Sequence, residues 1–377
     1  MWRRINWIVA LFVILLLIHG VAAAPGVVGR AEAQVKGQQS LQQLIDGAKK
    51  EGSLRIFGVT SAGRAGAVAI GEGFNKRFGL NINFDYNTEL TAYGAAFGQA
   101  ISEIKQSLPT SFDIMNGPID RSIQLCEAGC LRIDNWQQLL PKGVDPVKAS
   151  PHPVDGRAFV FATREPGIVY NTKLIREDEL PKTTVELADP KYKGKFYTAA
   201  WTTYVAYGPM VYPKDKWLKI MEGWGNNKAT TIFPAQGIKR MMLGEFAFEA
   251  FSNSHYYFQE KRKNSPAGLA FFRDLIPIDQ IIHVIPKGAR HPNAAKLFLL
   301  WATGPEFNDI FEKHSTTGNS NLETSEIGKA SMDAVKRAGG KTFKWTDNQK
   351  TLDLLTWWAT PEGEAYDREM AKALRVQ

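Results

Sequence analysis

The stretch IIHVIPKGARHPNAAKLFLLWATGPEF, residues 281–307, decides the fold class. Its first five residues form an apolar run of strand length, and Pro286-Lys287-Gly288 then turns the chain. Pro292 stands where a helix opens, because the N–H that proline lacks has no intrahelical partner in a first turn. Ala294, Ala295, Phe298, Trp301 and Ala302 recur at helical spacing and predict one apolar face. Gly304-Pro305 stops that helix, and Glu306 starts the next. A strand feeding a helix through a short turn is the repeating unit of α/β proteins.

The same alternation runs upstream. Residues 40–50 (SLQQLIDGAKK) open an amphipathic helix, and 54–59 (LRIFGV) read as a short strand. Residues 60–64 lead into a helix ending near Phe78-Gly79, 81–86 make a second strand, and 90–108 are helical. A third strand, 112–115 (FDIM), closes on Asn116-Gly117-Pro118. This β-α-β-α-β order predicts a largely parallel sheet flanked by helices. Residues 157–171 (RAFVFATREPGIVYN) are extended, without helical period, and 189–195 (DPKYKGK) lead into a strand at 196–198. A helix is expected to begin around Trp201-Thr202-Thr203, with a further helix at 239–244 and a strand at 246–251. From Asn348 on, Leu352, Leu355 and Trp358 mark a helix. Its end, Trp358-Ala359-Thr360-Pro361-Glu362, echoes Trp301-Ala302-Thr303-Gly304-Pro305-Glu306 as a second helix end of the same kind, not as a repeat.

The N-terminus addresses location. Arg3 and Arg4 precede an apolar run at 7–18, then small residues Gly20, Ala22, Ala23 and Ala24, the order of a secretory signal peptide. The apolar core is short of the ~20 residues a membrane span needs; a retained anchor is the alternative. Cleavage after Ala23 or after Ala33 fits, and no Cys follows the apolar run to carry a lipid. The expectation is a periplasmic protein. Cys126 and Cys130 flank Gly129, a helix-end residue, and a disulfide and two buried thiols stand as equal readings. A signal comprising residues 1–33 would take the formal charge from +8 to +6. Lys and Arg are scattered rather than striped, which argues against nucleic acid. The 44% hydrophobic content is that of a globular chain, and the length of 377 residues favours two lobes.

Taken in order, the segments 54–63 (LRIFGVTSAG), 74–84 (FNKRFGLNINF), 112–115 (FDIM), 167–175 (GIVYNTKLI), 187–196 (LADPKYKGKF), 243–251 (LGEFAFEAF) and 291–307 carry a family resemblance. The chain resembles the type II periplasmic solute-binding proteins of extracellular solute-binding family 1, the group that includes ferric-ion, polyamine and thiamine receptors of ABC importers. The resemblance covers most of residues 50–310. It implies an α/β fold of two lobes, each a mainly parallel sheet flanked by helices, joined by crossing hinge strands and closing over a solute. The expected divisions are signal 1–33, lobe one 41–163 plus 279–325, lobe two 164–278, and C-terminal helices 326–377 packing across the lobes. The implied partners are a small-molecule solute and an inner-membrane ABC permease, with no nucleic acid, no resident cofactor and a monomeric state.

Ligands of open α/β sheets bind beyond the carboxyl ends of the strands, against helix N-termini. Those places hold Thr60, Ser61, Arg64, Asn116, Trp201, Thr202, Thr203, Asn253, Tyr256 and Tyr257, with Arg164 in the crossover among Thr163, Arg164 and Glu165. Thr60, Ser61, Thr202 and Thr203 can cap helices or donate to a ligand oxygen. Arg64 at a helix start and the planar fork of Arg164 suit a carboxylate or phosphate. Trp201, Tyr204, Tyr256 and Tyr257 can stack on a ring or pack in the core. An anionic organic solute is the expectation. The runner-up is Fe(III) as cargo on Tyr256 and Tyr257 with His255, since phenolate, imidazole and carboxylate suit that ion. Against iron, the tyrosine pair sits about two residues late relative to Gly244-Glu245 by the resemblance, and Ser61-Ala62-Gly63-Arg64 and Asn116-Gly117-Pro118 replace the His and Glu of ferric receptors. A sensor for a membrane kinase would share the same cleft. A secreted enzyme is the rival class, but the chain has no G-x-S-x-G, G-x-x-x-x-G-K-[ST] or H-E-x-x-H motif.

Overall fold

The computed structural model describes residues 39–58, 61–87, 93–199 and 204–374. The signal-like segment therefore lies outside the described residues. The first helix, α1 (Leu41–Glu51), opens on a capping box in which the Ser40 hydroxyl accepts from the Gln43 N–H and the Ser40 N–H donates to the Gln43 side chain. It stops at Gly52, whose φ of 68° is the left-handed conformation glycine adopts without strain. There follow β1 (Ser53–Phe57), α2 (Gly63–Phe78), β2 (Asn83–Asn87), α3 (Tyr93–Lys105), β3 (Ile114–Gly117) and α4 (Ile119–Gly129). Two single-turn helices, α5 (Trp136–Leu139) and α6 (Pro146–Ala149), lead to β4 (Ala158–Arg164) and β5 (Pro166–Asn171), with Glu165 alone between the two strands.

The second half runs β6 (Phe196–Ala199), α7 (Lys214–Asn226), β7 (Thr230–Ile232), α8 (Pro234–Met242), β8 (Phe248–Asn253), α9 (Ser254–Arg262) and β9 (Ala267–Ala270). The chain returns through β10 (Ile276–Pro277) and β11 (Asp279–Val284) to α10 (Pro292–Ala302) and α11 (Pro305–Ser315). It closes with α12 (Glu326–Ala338), β12 (Thr342–Phe343), α13 (Gln349–Trp358) and α14 (Pro361–Ala373). The two Trp-Ala-Thr echoes both fall at helix ends followed by a helix with proline in its first turn.

Two five-stranded sheets result, ordered β2-β1-β3-β11-β4 and β7-β6-β8-β5-β9. Their patterns match strand for strand. In the first, β1 is parallel to β2 and β3, and β11 is antiparallel to β3 and β4. In the second, β6 is parallel to β7 and β8, and β5 is antiparallel to β8 and β9. Each sheet is the core of one lobe. The strands cross between the sheets twice, at Glu165 and between β9 and β11, and the chain crosses once more after α11, since α12 packs on β9 and α14 on α7.

Helix α10 departs from the one-faced pattern. Leu297, Leu299 and Leu300 are buried as fully as Phe298 and Trp301, because α1 and α11 cover the sides that the sheet leaves open. Its first N–H groups, on Asn293 and Ala294, donate to the Glu51 carboxylate at 3.0 and 2.8 Å, so the end of α1 caps it. Phe298 anchors an aromatic cluster with Phe74, Phe84, Trp301 and Phe307. Cys126 and Cys130 are joined as a disulfide where α4 ends, with Cα atoms 4.6 Å apart.

Several sequence expectations shift. Helix α8 starts at Pro234, earlier than 239, and β8 runs two residues later than 246–251. Helix α7 was not expected, although its Trp217, Ile220, Met221 and Trp224 show the buried spacing plainly. Helix α12 packs on β9 and α14 on α7. Among the described residues, no helix is long and apolar enough to cross a membrane.

Candidate functional site

The carboxyl ends of β1, β3 and β8 open into α2, α4 and α9. None of these three helices has a side-chain N-cap, whereas the peripheral helices α1, α12, α13 and α14 are capped by Ser40, Ser325, Asn348 and Thr360. In α4 the Asp120 carboxylate takes up the Asp120 and Arg121 N–H groups instead, while the N-cap side chain of α9 leaves its dipole end uncompensated. Ser61 does not cap α2; the N-cap position is Ala62, and the Ser61 hydroxyl lies 3.1 Å from the Thr317 hydroxyl. Arg64 is exposed and shares its helix face with exposed Val68 and Glu72, the solvent side of α2. Thr60, Trp201, Thr202 and Thr203 lie outside the described residues.

Asn116 is buried near the end of β3, and its Nδ2 donates to the Tyr86 hydroxyl at 3.3 Å. Two residues after Gly117, Ile119 starts α4, and Asp120 in its first turn is ringed by protein while 37% of its side chain stays open. Burial raises the Asp120 carboxyl, and Arg121, 3.6 Å away, opposes the rise.

Arg164 ends β4 at the crossover. Its Nη1 stands 4.0 Å from the Asp279 carboxylate at the start of β11, and the two side chains are 24% and 12% exposed. Burial pushes Asp279 up to about 6 against the pull of Arg164. Asn253 closes β8, and its carboxamide oxygen is taken by the Tyr204 hydroxyl at 2.6 Å. His255 is buried in the first turn of α9, where burial and then the charge of Arg164 hold it down to about 3, so the imidazole is neutral. Its ring lies 4.0 Å from that of Tyr256. Tyr256 and Tyr257 are half-buried and pack on the apolar cluster of Ile232, Met241 and Phe246. Burial, with Glu249 nearby, pushes the Tyr256 phenol up to about 12. Among the described residues, no three His, Cys, Asp or Glu side chains are placed to hold a metal ion.

Sequence reasoning missed one part of this region, the loop after α11. Thr316, Thr317 and Asn319 are buried, and Thr316 has a left-handed φ of 57°. Thr316 donates to the His255 carbonyl at 3.1 Å, the Gly318 carbonyl accepts from the Thr163 N–H at 3.0 Å, and Ser320 N–H donates to the Thr163 hydroxyl at 2.8 Å. The Thr163 hydroxyl in turn donates to Glu165 at 2.8 Å, and Ser254 reaches the same carboxylate at 3.3 Å. One loop therefore touches the start of α2, the crossover and the start of α9. Its sequence, TTGNSN at 316–321, reads as an exposed polar turn; only its return beneath the cleft buries it.

The matched sheets, the double crossover and the strand-end cleft agree with the comparisons. A family model described as bacterial extracellular solute-binding protein matches residues 69–322. No curated protein matches the chain. Among solved structures, iron-bound HitA from Pseudomonas aeruginosa superposes with a TM-score of 0.63 at 18% identity, covering 84% of this chain and 99% of that one. The substrate-binding protein of an ABC transporter from Agrobacterium tumefaciens gives 0.63 at 15% identity, covering 87% and 97%. AfuA from Actinobacillus pleuropneumoniae, with exogenous fructose-6-phosphate bound, gives 0.59 at 18% identity, covering 86% and 98%. Membership implies a small-molecule solute as the ligand. The chain belongs to the bacterial extracellular solute-binding proteins and has their two-lobed type II periplasmic fold.

Proposed function

We propose that the protein, working as a periplasmic monomer, captures a small organic acid between its lobes and passes it to an inner-membrane ABC permease. The observation that carries this reading is the meeting of the α2 and α9 N-termini, neither closed by its N-cap side chain, across the 316–321 loop, with Arg164 at the crossover between the sheets. A carboxylate or phosphate meets donors there from both lobes, so its binding favours closure, since contacts made to both lobes exist only when they approach. We place lobe one at residues 41–163 plus 279–325 and lobe two at 164–278, with 326–377 as the C-terminal addition. Arg164, whose fork is planar and permanently charged, carries the role that the sequence had divided between Arg64 and Arg164.

The fold serves both kinds of cargo, since HitA is iron-bound and AfuA holds exogenous fructose-6-phosphate. For this chain, Fe(III) is disfavoured by the packing of Tyr256 and Tyr257 on an apolar cluster, with no group of three His, Cys, Asp or Glu side chains placed to hold a metal among the described residues. A thermal-shift series over organic acids, phosphate esters, polyamines and ferric salt tests the reading. A midpoint that rises with acid or phosphate-ester concentration is the expected result. A rise with ferric salt alone, accompanied by a phenolate charge-transfer band that Tyr256→Phe removes, overturns it.

A further inference from the structure

The strand ends offer hydrogen-bond acceptors as well as donors. Asn116 is 1% exposed, and its Oδ1 has no partner while its Nδ2 is used by Tyr86. The side chain lies over β1's exit at Gly58, where an added Cβ would come within 2.3 Å of the Asn116 Cβ. The absence of a side chain at Gly58 is therefore what admits the carboxamide to the end of the parallel strands. A buried acceptor without a donor is unfavourable, and a donor brought by a ligand removes that penalty.

Asp120 adds charge to this acceptor. It opens α4 beyond the carboxyl end of β3 with 37% of its side chain exposed, and its negative charge helps raise Asp279 and Tyr207. Arg121 is its one cationic neighbour among the described residues, at 3.6 Å. A plain anion drawn to Arg164 meets the repulsion of Asp120, whereas a solute with an ammonium group turns that repulsion into attraction and supplies N–H donors for Asn116.

We infer that the solute is an amino acid, its acid group received by Arg164 and the helix N-termini and its ammonium by Asn116 and Asp120. This rests on the organic-acid reading above and narrows it. The test is calorimetric titration of the intact protein with the protein amino acids and 4-aminobutyrate, each set against the same acid with hydrogen or hydroxyl in place of ammonium. The amino member of at least one matched set should bind about tenfold tighter or better than its plain acid. Asp120→Asn, at an open position, should reduce that ratio and leave the unfolding midpoint near wild type; Asn116→Leu should reduce it further. Plain or hydroxy acids binding as tightly as their amino counterparts overturn the ammonium subsite and leave the acid reading standing. Binding of polyamine or ferric salt alone, or of none of the acids, overturns both.

Discussion

The two lobes share one strand pattern and bury opposite chemistry. In lobe one, His283 on β11 is fully buried, stacked on Phe161 at 3.9 Å, with no partner on either nitrogen. In lobe two, Glu249 on β8 is fully buried and accepts from Tyr197 at 3.0 Å and from Ser252. Burial drives both groups to their neutral forms, His283 down to about 3 and Glu249 up to about 8. The pH consequences are opposite. The unfolded chain protonates His283 below 6.5, so its contribution is lost as pH falls from there toward 3. The unfolded chain ionises Glu249 above 4.5, so its contribution is lost as pH rises from there through 8. Each slope is roughly 1.4 kcal/mol per pH unit, and between 4.5 and 6.5 they cancel. Matched topology thus leaves each lobe free to set its own response to acid.

The largest expected effect tests whether the lobes are separate at all. Phe298→Ala in lobe one should cost about 3–5 kcal/mol by urea unfolding. One contiguous apolar cluster holds Phe57 and Met115 of lobe one together with Ile168 and Phe248 of lobe two, so a single transition should move as a whole. A second transition left in place would divide the molecule into independent units. Next, His283→Phe keeps the stack on Phe161 without the unpartnered nitrogens and should remove the acid-side loss, about 2 kcal/mol at pH 5. Glu249→Gln should flatten the loss above pH 4.5 instead. Midpoints measured from pH 4 to 9 for both variants, if parallel to wild type, would sink the contrast.

Smaller effects separate site from scaffold. Arg164→Gln should weaken binding of the tightest organic acid about tenfold, a loss near 1.4 kcal/mol, while Arg64→Ala leaves it unchanged. Equal losses in titration would return Arg64 to the site. The smallest is Ser40→Ala, which removes the α1 cap and should cost about 1 kcal/mol of stability without touching affinity.

Most of lobe one was legible because its elements carry period and punctuation together: LRIFGV, the Gly79 stop and the proline-led α10 each state their own limits. Lobe two was less so. β7 is three residues long and half-exposed, so it carries no alternation, and α7 has spaced tryptophans but no capping side chain to mark its start. The site was legible as a set of strand ends, a matter of topology, but not as chemistry. Which arginine faces the cleft depends on helix rotation, and Arg64 turned out to lie on the solvent side. The 316–321 loop reads as surface because nothing in TTGNSN signals burial; it is buried by partners more than fifty residues away, at His255 and Thr163.

The strand order has a consequence for assembly. Among the described residues β4 has one neighbouring strand, β11, and β11 is made after every strand of the second five-stranded sheet. A chain that has not yet reached residues 279–284 holds β3 and β4 with a gap between them, however long it waits. The sheet that is begun first is the one closed last, and contacts this distant in sequence form slowly because the intervening loop must be closed before they are rewarded.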